Sequence, residues 1–318
     1  MKNNELLKPI PLQMGDQVAL VAPSSPVPQL NLKNAINSIR FLGLEPIVYP
    51  SCSSQHGYLS GTDSVRAADV NAAFANPSVK GIFCLRGGFG VTRLLPYIDF
   101  NRIQKNPKVF IGYSDITGLH VSINKLCGFV TYHGPMPNTN YTKLDTYTLN
   151  SLKQNIFSSQ PLGLVTNPID EPLLTICEGT AEGIITGGNL SLLEGTLGSP
   201  YEVDTKGKIL FIEEVGEKPY RIDRALTALS LAGKFEDCAG ILLGTFAECE
   251  IPPKDAQPGN VFIAESTLTL SQIFEEVIKP FKKPTLLNFR AGHIYPQATI
   301  PFGCCVRLDA NNQTVCFK

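Results

Sequence analysis

The sequence predicts an α/β protein in two parts, a parallel-sheet first half and a mixed, strand-rich second half. Three observations carry that expectation. The chain has 318 residues, room for two domains at about 150 residues each. Through the first half, short runs that are apolar along their whole length alternate with helical patterns, as in a parallel sheet covered on both faces. Near residues 160 to 180, QPLGLVTNPIDEPLL brings prolines and a linker-like composition, and strand-like runs crowd the chain beyond it.

The elements follow in order. VALVAP (Val18 to Pro23) reads as a buried strand, and Ala35, Ile36, Ile39 and Leu42 recur at helical spacing through Leu32 to Leu42. PIVYP (Pro46 to Pro50) is the next strand, a helix runs from Ser64 to Ala75, and GIFCLRG (Gly81 to Gly87) is a third strand. A helical turn at Arg93 to Leu95 precedes VFIGYS (Val109 to Ser114), which runs straight into the helix-compatible DITGLHVSINK. In the second half come AEGIITGG, KGKILFIEEV, an amphipathic YRIDRALTALSLAGKF and CAGILLGTFAEC. Ile251 to Thr267 reads as a surface loop before a helix at Leu268 to Ile278. TIPFGCCVRLDANNQTVCF reads as a hairpin with Asn311-Asn312 at its turn. These divisions put domains at residues 1–165 and 181–318, joined by a linker at 166–180.

Composition narrows function. With 43% hydrophobic and 17% charged residues, the chain can bury a large core. Its 27 Lys and Arg against 28 Asp and Glu leave a net charge of −1, which argues against nucleic acid or an acidic membrane as partner. The longest apolar stretch, Ala239 to Ala247, falls far short of the roughly 18 residues of a membrane span. Charges and prolines interrupt MKNNELLKPIPLQMGDQ where a signal peptide would have its apolar core, so the expected location is the cytoplasm. Nine cysteines occur without a C-x-x-C pair and mostly inside apolar runs, so they read as small core hydrophobes in a reducing compartment. With four histidines in all, no metal site is signalled.

Four segments could carry chemistry. In VFIGYSDITGLH, Ser114 stands where a buried strand gives way to a helix. Such a serine is either a helix cap or a nucleophile lifted above the sheet beside helix amides. Gly112 relieves crowding at the turn, but Ile116 stands where the hydrolase elbow G-x-S-x-G has its second glycine. LRGGFGVTRLL places Arg86, Gly87, Gly88 and Gly90 after another buried strand. Adjacent glycines there let backbone amides converge on a phosphate or an oxyanion, or simply turn the chain. KILFIEEVGEKPYRIDRAL ends an apolar strand in Glu213-Glu214. Alternation sends the two to opposite faces, so one at most serves a given site, while Glu217 suits the start of the next helix. LNFRAGHIYPQATIPFG carries His293, either a structural histidine or the base that a serine hydrolase needs. Of the other histidines, His120 reads as packed in the helix after Ser114, His133 ends a strand and could line a site, and His56 sits in a loop.

In order along the chain, VALVAPSSP (Val18 to Pro26), LRGGFGVTRLL, IGYSDITGLH, AEGIITGGNLSLLEGTLGSP (Ala181 to Pro200), ILFIEEVGEKPYRIDRAL and AGHIYPQATIPFG resemble the LD-carboxypeptidase family. These serine peptidases include muramoyltetrapeptide carboxypeptidases and microcin C immunity peptidases. The resemblance spans nearly the whole chain and implies an N-terminal parallel-sheet α/β domain, a C-terminal β-rich domain and an active site at their junction. It implies Ser114 as nucleophile, His293 as general base and Glu213 as the acid orienting it, with Glu214 the alternative. The amides of Gly88 and Asp115 would form the oxyanion hole, with Gly87 beside them. Also implied are release of the terminal D-alanine from murein tetrapeptides in cell-wall recycling, no cofactor, and a homodimer. Arg86 is the candidate for the substrate's free carboxylate, and His133 for lining the site.

Two other readings stay open. An immunity-type peptidase would hold a nucleotide base by stacking, against which the absence of tryptophan counts. A non-catalytic muropeptide-binding module is the other, against which the filled triad positions count. A phosphate role for the glycine loop lacks both the P-loop lysine and the dinucleotide fingerprint.

Overall fold

The computed structural model describes residues 6–250 and 267–318. In the first half, β1 (Gln17–Val21), β2 (Glu45–Val48), β3 (Val79–Cys84), β4 (Val109–Gly112) and β5 (Thr131–His133) lie parallel in the order β2-β1-β3-β4-β5. Helices α1 (Gln29–Phe41), α2 (Asp63–Ala75), the short α3 (Val91–Leu94) and α4 (Phe100–Gln104), and α5 (Thr117–Cys127) connect them, and α6 (Thr146–Phe157) follows β5. Side-chain alternation divides each strand between two cores. Val18 and Leu20 of β1 pack with Ala35 and Ile39 of α1 and with Leu152 and Ile156 of α6. Ala19 and Val21 pack with Val70 and Phe74 of α2 and with Leu119 and Ile123 of α5. Helix starts are marked by side chains: Thr62 accepts from Val65 N ahead of α2, and Asp145 from Thr148 N at 2.8 Å ahead of α6. Each cap contributes about 1 kcal/mol. From β1 the chain moves to β2 on one side and returns through α2 to β3 on the other. The crevice beyond the carboxyl ends of β1 and β3 is therefore the switch point at which open α/β sheets bind ligands.

The second half holds β6 (Gly163–Val165), β7 (Leu174–Cys177), β8 (Thr180–Asn189), α7 (Leu190–Gly195), β9 (Ile209–Val215), α8 (Pro219–Leu231) and α9 (Lys234–Asp237). After these come β10 (Gly240–Ala247), α10 (Leu270–Val277), β11 (Thr285–Leu287), β12 (Ile300–Phe302), β13 (Cys305–Asp309) and β14 (Thr314–Phe317). Its eight-stranded sheet runs β6-β14-β13-β8-β9-β10-β11-β7. The strands β8, β9, β10 and β11 are parallel and the flanking ones antiparallel. The expected hairpin is β13–β14, with Asn311 and Asn312 in its turn, and the expected helix is α10, opened by a Thr269–Gln272 capping box. The loop read at Ile251 to Thr267 lies, except for Thr267, outside the described residues. Among the described residues, no helix is long and apolar enough to cross a membrane.

One strand changes sheets. β12 leaves its neighbours in sequence and pairs antiparallel with β5, Ile300 opposite His133, as the sixth strand of the first sheet. Pro301 is tolerated there because the strand lies at the sheet's edge. On β9, Ile209 and Phe211 face the cluster that holds Val18 and Leu20, while Leu210 and Ile212 face a third cluster with Ile222 of α8 and Phe274 of α10. The two sheets thus share a core, and the carboxyl ends of β4 and β9 are drawn to the same region.

Candidate active site

Three loops meet above the first sheet. The nucleophile candidate Ser114 opens a single 3-10 turn between β4 and α5, with φ at +66°. Only a tight turn held by its surroundings keeps an L-residue in that left-handed region. The glycine loop after β3 lies over it. A Cβ on Gly87 would stand 2.8 Å from Ser114 Cβ, 2.9 Å from Ser114 Oγ and 3.4 Å from Asp115 N, so no other residue fits. Among the described residues, the Gly88 amide has no hydrogen-bond acceptor. Ser114 Oγ, the Asp115 amide and Gly87 are thus neighbours, while a Cβ on Gly88, the next residue, would stand 2.6 Å from Ser25 Cβ.

Asp115 and Arg66 tie the three loops. Asp115 Oδ2 accepts from Ser24 Oγ at 2.6 Å, in the loop after β1, and from Val91 N at 2.9 Å, at the end of the glycine loop. Burial pushes the Asp115 carboxyl up, and these hydrogen bonds oppose it. Arg66, fully buried on α2, donates to Pro23 O at 2.5 Å and to Gly90 O at 3.0 Å and pairs with Asp63. Neither Ser24 nor Arg66 stood out in the sequence. A signal was present for the second, because Arg66 shares the apolar stripe of its helix with Val70 and Ala73. Arg86, half-buried, donates from Nη1 to Pro26 O at 3.3 Å and so braces the glycine loop.

The acid and the histidine come from the second half. Glu213, fully buried near the end of β9, accepts from His293 Nδ1 at 2.7 Å. Glu214 turns to the other face, as strand alternation requires, and accepts from Asn189 Nδ2 at 2.7 Å, Ser191 N at 2.8 Å and Ser191 Oγ at 2.6 Å. Glu217 pairs with Arg221 at 3.1 Å on the surface. Gly292 lets the histidine loop close on the acid: a Cβ there would fall 2.6 Å from Glu213 Oε2. Burial pushes the Glu213 carboxyl up, and His293 opposes it. For His293 burial acts downward, but the Glu213 hydrogen bond and charge outweigh it and hold the imidazole above its ordinary value.

Tyr113 joins the two halves. It precedes Ser114, and its ring lies 4.9 Å from that of His293, centroid to centroid. His293 remains 18% exposed, and with Nδ1 committed to Glu213 its Nε2 is the nitrogen left for a substrate. His133, read as lining the site, is instead sealed behind this surface. It is fully buried, with Tyr113, Phe211 and Phe302 at 5.8, 5.3 and 5.3 Å. Its place on β5, covered by β12, explains the burial. His120 is packed as expected, its Nε2 donating to Gly112 O at 2.9 Å and its pKa pulled down by burial to about 4. A serine hydroxyl on a tight turn, an imidazole oriented by a buried carboxylate and neighbouring backbone amides are parts that acyl transfer uses.

Comparison with known proteins matches the LD-carboxypeptidase N-terminal domain to residues 18–134 and the LD-carboxypeptidase C-terminal domain to residues 182–308. Over 307 residues the chain is 40% identical to a probable murein peptide carboxypeptidase of Bacillus subtilis (strain 168), covering 96% of this chain and 93% of that one. The wild-type apo structure of the microcin C7 self-immunity protein matches with a TM-score of 0.85 and 26% identity, over 98% of both chains. A muramoyltetrapeptide carboxypeptidase from Oxalobacter formigenes matches with a TM-score of 0.79 and 28% identity, over 95% of this chain and 97% of its own.

Proposed function

The chain belongs to the LD-carboxypeptidase family of serine peptidases, and from that premise we propose that it removes the C-terminal D-alanine from murein tetrapeptides in the cytoplasm, during cell-wall recycling. The observation that carries this reading is the 2.7 Å Glu213–His293 pair set against Tyr113, whose next residue is Ser114 on its left-handed turn. His293 Nε2 takes the proton of Ser114 Oγ as the oxygen attacks the scissile carbonyl. Glu213 holds the imidazole through Nδ1 and stabilises the imidazolium that forms. The Gly88 and Asp115 amides, with Gly87 giving clearance, receive the oxyanion, a contribution of about 3–4 kcal/mol per donor. His293 then protonates the departing amine, D-alanine leaves, and water hydrolyses the acyl-enzyme by the same route. Arg86 has donors beyond the one given to Pro26, and they suit the free carboxylate that a carboxypeptidase must hold.

The test is mass spectrometry of L-Ala-γ-D-Glu-meso-diaminopimelyl-D-Ala after incubation with wild type and Ser114→Ala, with and without EDTA. Loss of one alanine by wild type alone, unaffected by chelator, is the expected result. Release that persists in Ser114→Ala overturns the mechanism. The likeness to the self-immunity protein favours one second reading, an immunity-type peptidase acting on an aminoacyl nucleotide. An aminoacyl sulfamoyl nucleoside as parallel substrate separates the two, and its cleavage in preference to the tetrapeptide would establish the second.

A further inference from the structure

His293 stands on a loop tied at its base and its middle by one residue, Arg290. The Arg290 carbonyl accepts from Ala298 N at 2.6 Å, and its guanidinium donates from Nη2 to Tyr295 O at 2.9 Å. Arg290 is in turn gripped by the segment between the two halves. Its backbone N donates to Asn167 Oδ1 at 3.0 Å, and Glu171 Oε1 lies 3.6 Å from Nη1. Asn167 Nδ2 donates to Glu171 O at 2.8 Å and to Asn288 O at 2.6 Å, and Asn288 Nδ2 donates to Pro172 O at 2.9 Å. At the far side of the loop, Gln297 N donates to Thr148 Oγ1 at 2.8 Å and Thr299 N to Ser151 Oγ at 2.9 Å, both on α6.

A connection that only joined two halves would need none of this polar work. Burying a guanidinium is costly. Arg290 is 7% exposed, and its Nε has no acceptor among the described residues. What the arginine provides is a rigid planar fork, aimed at the carbonyl two residues past His293. The strap from Asn167 to Pro172 holds that fork from behind.

We propose that Arg290 is a positioning residue for His293, and that residues 167–172 are a strap that sets the imidazole rather than a passive linker. The inference rests on His293 as the base of the proposed reaction. Its physical basis is tolerance: displacing a catalytic group by about 1 Å costs on the order of 100-fold in rate.

The experiment uses the full chain with Arg290→Gln, Arg290→Lys and Asn167→Ala. Asn167 lies in the strap, away from the core, so Asn167→Ala reports even where Arg290→Gln fails to fold. Each variant is measured for kcat and KM on the tetrapeptide. Each is also measured for the low-field proton resonance of His293 Nδ1–H bonded to Glu213. Arg290→Gln is expected to lower kcat by roughly 10- to 100-fold with KM within about 3-fold of wild type, and to shift or broaden the resonance. Arg290→Lys should recover part of both losses, and Asn167→Ala should move both in the same direction by less. Folded variants with wild-type kcat and an unchanged resonance overturn the proposal. Wild type that leaves the tetrapeptide intact defeats the reaction reading alone, and the resonance then decides the positioning by itself.

Discussion

At Ser114 the backbone holds φ at +66°, a conformation that costs an L-residue roughly 1–2 kcal/mol. Strain and reactivity can be separated there with two variants that both lack the hydroxyl. Ser114→Gly is expected to be more stable to urea than Ser114→Ala by about 1 kcal/mol; equal midpoints would show that the turn is unstrained. The partner residue has a pH signature. In the proposed mechanism the base must be neutral, and Glu213 holds His293 above its ordinary value against the pull of burial. The acid limb of kcat/KM should therefore lie above the usual imidazole range. Removing the carboxylate leaves burial unopposed, so Glu213→Gln should move that limb to lower pH while kcat falls by roughly 10³- to 10⁴-fold. A limb that stays put or rises would show that Glu213 does not set the base.

Among the elements, the glycine loop depends on a residue outside it. Arg66 reaches from α2 to Pro23 O and Gly90 O, and Arg66→Met leaves both carbonyls without their donor. The expected cost is on the order of 3 kcal/mol in chemical denaturation, with activity lost as the loop loosens; a change under about 1 kcal/mol would mean water replaces the clamp. This scale also separates what the sequence makes legible from what it does not. Strands apolar along both faces, such as Val18 to Val21 and Ile209 to Ile212, announce themselves, and so does the turn at Ser114. Short edge strands do not. Leu174–Cys177 and Ile300–Phe302 have 4 and 3 residues and lie among prolines, and their partners are remote in sequence. His133 misleads for the same reason, because the strand that buries it cannot be inferred from VTYHGPM. Glu213 against Glu214 is legible only as an alternation; which face holds the histidine depends on how the two sheets pack.

The molecule as a whole is built around a core to which both sheets contribute, Val18, Leu20 and Phe302 from the first and Ile209 and Phe211 from the second. Such sharing predicts a single cooperative unfolding transition, with calorimetric and van't Hoff enthalpies equal. Two resolved transitions in scanning calorimetry would instead mark the halves as independent.

The strand that changes sheets has a consequence for how the protein is made. β5 leaves the ribosome with His133, yet its outer partner β12, which sets Ile300 opposite His133, emerges only about 170 residues later. At roughly 5–20 residues per second that interval is on the order of 10–30 s. Throughout it the nascent first sheet shows an open edge, a template for wrong pairings. The serine is also translated long before its histidine. In the proposed mechanism a chain released early, by a stop codon or a stalled ribosome, therefore carries the nucleophile without the base. Any such fragment is expected to be silent as a peptidase, because hydrolysis by that mechanism waits for His293 to be translated.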